Sequence, residues 1–318
     1  MSSRSPHQRV SVRSAVLLVA CAAFLGSCSP GEVSKDAPTS SDIGVPTVSA
    51  FPTAESTGPL IPESLLVPSG SVSSEESGQV IEGLEVDGRV RVQHDGVTVR
   101  NVRINHIATG PGQYALLIEE GPDGTCPTGV VIESIEIVGD PAVLVDDAKA
   151  VYGSCPFTLE GSRIIGVGTG IRLTSDSVIR GNFVRADFST EGSDTHRSAI
   201  GINGGSGNVI EGNTVICSGP GCSGALVMYG DFQQISDILV TGNLFNSTGS
   251  YCTYAGSLDS KEFPVASDVR YIDNTFGRMF FDTCGRYGPV AGRDSNGGPG
   301  FVWDGNTWEG TGEDVPIS

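Results

Sequence analysis

Positive charge is scarce in this chain: 19 Lys and Arg stand against 37 Asp and Glu among 318 residues, a formal net charge of -18. Nucleic acid is therefore not an expected partner, because phosphate backbones are bound by cations. Histidine is scarcer, with four residues, and no C-x-x-C or H-E-x-x-H spacing occurs, so a metal centre built on Cys and His is the poorer reading. The Gly clusters "GVGTG" and "GPGCSG" do not open a helix after a strand within a βαβ unit, which argues against a nucleotide site. The apolar run at about 15–25 is too short to be a strong membrane-spanning candidate. Apolar spacing of three and four residues, sustained over a dozen positions, does not characterise the repeated segments, so they are not helical repeats.

What the chain has in abundance is self-similarity. The phrases "VTVRNVRI" (97–104), "VVIESIEI" (130–137), "FTLEGSRI" (157–164), "SVIRGNFV" (177–184), "NVIEGNTV" (208–215), "DILVTGNLF" (237–245), "DVRYIDNTF" (268–276) and "FVWDGNTW" (301–308) share one pattern. Apolar residues alternate as in a strand, Gly or Asp precedes Asn at a turn, and a large apolar residue closes the phrase. The turn Asn recurs at 182, 213, 243, 274 and 306, so neighbouring copies differ by 31, 30, 31 and 32 residues, a spacing that belongs to solenoids. A second apolar run recurs between copies: "ALLIEE" (115–120), "AVLVDD" (142–147), "GIRLTSD" (170–176), "SAIGING" (198–204) and "ALVMYGD" (225–231). Two or three short strands per turn, stacked at about 4.8 Å on the turn below, describe an all-β, single-stranded parallel β-helix. Stacked Asn side chains then hydrogen-bond along the solenoid as a ladder, and Asn also tolerates the left-handed backbone of a tight corner. Two inward columns are expected: Ile179, Ile210, Val240, Tyr271 and Trp303, and Val184, Val215, Phe245, Phe276 and Trp308. Both become aromatic toward the C-terminus, and stacked core is the reading preferred over a sugar platform.

The first residues read as a targeting segment. Arg4, Arg9 and Arg13 precede the apolar run, and Leu25-Gly26-Ser27-Cys28 resembles the lipobox of bacterial lipoproteins, in which the Cys is lipidated. Cys21 is a second match that would leave a very short apolar run, and an ordinary secretory signal is the alternative. Residues 1–27 are assigned to the signal, 28–68 to a flexible Ser/Pro/Thr-rich tether and 69–318 to the β-helix. The expectation is an exported monomer, lipid-anchored to the outer face of a bacterial membrane. Apart from Cys21 and Cys28, six Cys remain, an even number in an exported chain. Stacking brings Cys126 near Cys155, Cys217 and Cys222 flank the short loop "SGPG", and Cys252 and Cys284 pair by elimination, one choice among 15 pairings.

Over about residues 78–310 the coils and turns resemble the right-handed parallel β-helix of the pectate-lyase-like superfamily. The segments "VIEGLEVDGRVRVQHDGVTVRNVRI" and "YIDNTFGR" with its tail resemble a group of actinobacterial β-helix lipoproteins. The resemblance implies a fold that serves many polysaccharide activities. It also implies a His-x-Asp-Gly-Ile-Gln segment, where this chain has "HRSAIG": His196 is kept, but Ser198, Ala199 and Gly201 replace the acid, the Gly and the Gln. The polygalacturonase-like signatures are absent except for an isolated Asp146-Asp147.

Aligning the second strands through Ile171, Ile200 and Leu226 sets Arg172, Gly201 and Val227 on the outer face, then Thr174, Asn203 and Tyr229, then Asp176, Gly205 and Asp231. On that register Asp176 and Asp231 lie two coils apart, roughly 9 to 10 Å, with Gly205 between. Such a pair suits an inverting glycosidase or brackets a Ca²⁺. Arg172 would neutralise a uronate or, as in the lyases, abstract a proton, and His196 titrates near working pH. Asp194, Arg197, Asn203 and Tyr229 complete the expected substrate face. The plainer reading makes Asp176 turn punctuation and His196 a solvated loop residue, with His94 and His106 as strand-end polar groups. Two functions follow: a surface protein that binds polysaccharide, which the missing acid at 198 favours, or a polysaccharide lyase or glycoside hydrolase.

Overall fold

The computed structural model describes residues 51–107, 113–145, 148–190, 192, 195–293 and 298–317. Cys28, Asp194, Asp146-Asp147 and the signal segment lie outside them. Among the described residues twenty-nine short strands form three sheets, and every strand pair is parallel. One ten-stranded sheet runs from Val67–Ser69 to Thr307–Trp308, a nine-stranded sheet from Val72–Ser73 to Val290–Ala291, and a second ten-stranded sheet from Val80–Glu82 to Val302–Asp304. Successive coils each add a strand to each sheet in turn, one coil adding the extra short strand Gly205–Ser206, which makes the chain a parallel β-helix. The only helical segment among the described residues is a 3₁₀ turn at Glu63–Leu65, and no helix there is long and apolar enough to cross a membrane.

The two inward columns stack in the expected register. Ile179 pairs with Ile210, Ile210 with Val240, Val240 with Tyr271 and Tyr271 with Trp303. Val184, Val215, Phe245, Phe276 and Trp308 follow in the adjoining sheet. All but the two Trp are fully buried, so each aliphatic member contributes about 1.5–3 kcal/mol of burial. At the C-terminal end Trp303 lies 5.4 Å from Tyr271 and 5.2 Å from Phe276 between ring centroids. The final turn closes over them: Trp303 Nε1 donates to Val315 O at 3.1 Å, Val315 is buried, and Thr307 bridges Asp314 in antiparallel fashion. The aromatic widening is core and plug.

The Asn ladder is formed. Asn182, Asn213, Asn243 and Asn274 each donate Nδ2–H to the next coil's Asn Oδ1, at 3.0, 2.9, 2.9 and 2.9 Å, ending on Asn306. The same Oδ1 atoms accept the backbone N–H of the Asn below. The left-handed corner residue, however, is the one before each Asn. Gly181, Gly212 and Gly242 have φ of 63° and Asp273 of 54°, and the Asn residues keep negative φ. Division of labour explains this, since Gly accepts that backbone without strain and leaves Asn to supply the amide.

Two expectations change. The described part of the apolar run, residues 142–145, is not a strand: the nine-stranded sheet uses Lys149–Gly153 in that coil, and Leu144 packs in a satellite cluster with Ala148 and Phe188. Residues 51–66, assigned by composition to the tether, lie along the solenoid. Thr214 Oγ1 donates to Pro52 O at 2.6 Å, Gly58 N to Gly161 O at 2.9 Å and Leu60 N to Asn101 Oδ1 at 2.8 Å, while Arg103 pairs with Glu63 at 2.9 Å. Scattered hydrogen bonds to the coils hold this strap without any apolar periodicity of its own. Cys126–Cys155, Cys217–Cys222 and Cys252–Cys284 are disulfides with Cα separations of 5.4, 5.9 and 5.4 Å.

Candidate functional site

The outer face of the nine-stranded sheet gathers the polar and aromatic side chains that the core excludes. Its central strands are Lys149–Gly153, Thr169–Leu173, Arg197–Ile202, Cys222–Tyr229 and Thr253–Gly256. Ile171, Ile200 and Leu226 stack as expected, which aligns Arg172, Gly201 and Val227. Gly201 has a spatial role here: a Cβ at this position would sit 2.6 Å from an Arg172 Nη atom. Its absence lets the Arg172 guanidinium lie across the sheet and donate to Asn203 Oδ1. Asn203 Nδ2 in turn donates to Asp231, and Lys261 Nζ donates to the other Asp231 oxygen at 2.8 Å. Lys261 also lies 4.2 Å from the Tyr229 ring centroid, a cation–π contact. Burial, followed by the neighbouring Tyr254 and Asp231, pushes the Tyr229 hydroxyl pKa upward, so it stays a neutral donor and acceptor.

Arg172 and Asn203 form a partition between two depressions. One, of about 650 Å³, is lined by Tyr114, Lys149, Tyr152, Asp176 and Phe232. Tyr114 and Tyr152 stack there with centroids 4.7 Å apart and planes at 16°, and Phe232 is 77% exposed, a free aromatic face at the rim. The second, of about 380 Å³, is lined by His196, Ser198, Tyr229, Asp231 and Lys261. Beyond it the rings continue: Tyr229 to Tyr254 at 5.5 Å, Tyr254 to Tyr251 at 5.8 Å and Tyr251 to Tyr287 at 6.1 Å. A further depression of about 640 Å³ lies against Tyr251 and Tyr287.

The expected carboxylate pair is not assembled. Gly204 and Gly205, at φ of 144° and 118°, insert two residues between the stacked strand and its corner. Asp176 therefore stacks on Gly207 and not on Gly205. Asp176 N donates to Ser206 O, and a Cβ on Gly207 would overlap Asp176 Oδ1. Asp176 is an exposed left-handed corner residue with φ 54°, whereas Asp231 is tied to Asn203 and Lys261 in the other depression. The stacking expected to align the pair is therefore not formed, and no group of three or more His, Cys, Asp or Glu among the described residues is placed to hold a metal. Arg197, expected to meet substrate, is 1% exposed. It opens its strand facing inward, and its guanidinium donates to Phe188 O and Pro220 O, clasping two loops.

His196 is exposed at the rim, and Arg172, Asn203 and Tyr229 stand where the register placed them. Tyr114, Lys149, Tyr152, Phe232 and Lys261 were not singled out from sequence. Alternation from the inward Val151 of "KAVYG" would have revealed Tyr152 had the apolar run before it not been taken for the strand, whereas Lys149, three residues before Tyr152, falls outside that period. Phe232 and Lys261 sit in loops, where no period applies.

No family model matches the chain, and no curated protein matches it. Among solved structures, a tailspike protein gp49 from Acinetobacter baumannii bacteriophage Fri1, a capsular polysaccharide depolymerase, aligns at 11% identity and a TM-score of 0.31. The alignment covers 80% of this chain and 62% of that one. Likeness at that level carries no argument about activity.

Proposed function

We propose that the chain holds polysaccharide along the outer face of its nine-stranded sheet. The carrying observation is the line of aromatic rings, Tyr114 with Tyr152 on one side of the Arg172–Asn203 partition and Tyr229, Tyr254, Tyr251 and Tyr287 on the other. Sugar rings present flat C–H faces that pack on aromatic rings, while hydroxyl and acidic substituents need placed donors and acceptors. From the strand Tyr114–Ile118 to the strand Val290–Ala291 there are six steps in the sheet order. At about 4.8 Å per step this face is roughly 29 Å long, room for several sugar residues in a row.

Holding is favoured over cleavage because Asp176 is not stacked in the register that would align it with Asp231, and Asp231 already has two partners. The resemblance to pectate-lyase-like β-helices supports the substrate class, and the lipobox at Cys28 supports export and anchoring at a bacterial surface. Purified protein titrated with acidic and neutral polysaccharides, with and without Ca²⁺, tests the reading. Retention of a glycan without new reducing or unsaturated ends is expected, and it should be lost in Tyr152→Ala with Tyr229→Ala. Product formation abolished by Asp231→Ala or His196→Ala would establish the lyase or hydrolase instead. Mass analysis of the N-terminal peptide of wild type and Cys28→Ser tests the anchor.

A further inference from the structure

At the N-terminal end of the same sheet, a separate depression of about 440 Å³ is lined by Ser71, Gly88, Arg89, Arg91, His106 and Tyr114. The glycan reading uses only Tyr114 of these. His106 closes the strand Arg103–His106 at an inward position and is 1% exposed. Its stacked neighbour in the next coil is Gly139, so the imidazole has no polar side chain above it. Nε2 is buried and has no hydrogen-bond partner.

Arg89 is unusual in the opposite sense. Its Nε donates to Tyr114 O at 3.1 Å, and its backbone N–H donates to Ser71 Oγ at 3.1 Å. No carboxylate pairs with it among the described residues, although acids outnumber bases 37 to 19 in the chain. Arg91, in the same depression, is by contrast neutralised by Glu119. A bound water would satisfy the imidazole but would leave the guanidinium charge uncompensated. One group that satisfies both is a small anion with oxygen acceptors.

We propose that this depression binds an oxyanion, held by the guanidinium of Arg89 and by Nε2–H of His106. The imidazole suits the role because it is kept neutral: burial, and then the charge of Arg89, push its pKa down to about 4. It therefore offers a donor at neutral pH without a second positive charge. Glu119, the acidic group paired at this edge, is already engaged by Arg91. Tyr114 also lines the large depression next along the sheet, so an acidic group on a glycan lying there reaches this site.

The site stands apart from the glycan reading, and one experiment separates them. The His106 imidazole resonances of the full folded chain are followed by NMR at pH 7. Sodium sulfate, sodium galacturonate and a galacturonate oligosaccharide are titrated in turn, each against sodium chloride at matched ionic strength. Saturable movement of the His106 signals is expected with sulfate or galacturonate and not with chloride, with affinity about tenfold weaker in Arg89→Gln. Arg89→Lys, which keeps the charge, should recover part of it. A His106 signal that does not move, or moves equally in Arg89→Gln, overturns the proposal and leaves a water-filled void only. Response to sulfate but not to the oligosaccharide keeps the oxyanion site and counts against acidic glycan. Oligosaccharide binding that perturbs the tyrosines but not His106 keeps the glycan face and removes the oxyanion site.

Discussion

Asn213→Ala removes one rung from the middle of the amide ladder. The side chain is fully buried and makes four hydrogen bonds. Nδ2 donates to Asn243 Oδ1 at 2.9 Å and to Ile179 O at 2.8 Å, and Oδ1 accepts from Asn182 N at 2.9 Å and Asn182 Nδ2 at 3.0 Å. At about 1 kcal/mol net per bond, truncation costs about 4 kcal/mol, because the Asn182 N–H and the Ile179 carbonyl are left buried without partners. Asn306 stands at the end of the ladder and makes three such bonds, accepting from Asn274 N and Nδ2 and donating to Tyr271 O. Its replacement by Ala should therefore cost less, about 2–3 kcal/mol. Asn213→Asp sharpens the test at neutral pH: it keeps the acceptors but turns a carboxylate toward Asn243 Oδ1 and the Ile179 carbonyl, so it should be worse than Ala and recover as pH falls. Urea unfolding with disulfides intact, followed by far-UV circular dichroism, measures the differences. Amide exchange in Val178–Arg180 and Val209–Glu211 locates them, since solenoids can open by coils. A cost below about 1 kcal/mol for Asn213→Ala, or one no larger than that of Asn306→Ala, would refute the ladder as a cooperative stabilising element.

Gly201→Ala should leave unfolding nearly unchanged, since its Cβ meets only the ends of two side chains, the Arg172 guanidinium and Ser198 Oγ, yet weaken glycan retention about tenfold by dislodging the guanidinium; urea unfolding reads the first and calorimetric titration the second. His106 binds its proton near pH 4 when folded against its ordinary 6.5, so the unfolded state holds more protons in that window and stability falls as pH drops from 6.5 toward 4. The gap is worth about 3 kcal/mol at most, and His106→Asn should flatten that part of the urea-midpoint profile. Reducing Cys252–Cys284, with a separation of 32 residues, should cost about 4 kcal/mol, against about 2 kcal/mol for Cys217–Cys222, separated by 5; unfolding of the Ser pair variants checks the order.

Sequence alone settled whatever repeats. The 30- to 32-residue steps of the turn Asn and the two apolar columns follow from counting, because strand alternation has a fixed period of two and each coil must register on its neighbour; the cystine pairing was one choice among 15 until the coils were stacked. Counting stops at the strand ends. Two residues inserted at Gly204-Gly205 moved the stacking partner of Asp176 from Gly205 to Gly207, and an inward turn at the start of a strand converted Arg197 from a candidate ligand into a buried clasp. The apolar run 142–147 mimicked a strand, yet its Leu144 packs outside the coil in a satellite cluster. Side chains from distant loops, Phe232 and Lys261, reached the outer face by paths that no period describes. Apart from Tyr251–Tyr254, the Tyr pairs and the His106–Arg89 depression exist only once coils are stacked, since each joins residues 17 to 38 positions apart in the chain. Local pattern sets which residues point inward; loop length and the space left by glycines set which outward residues meet.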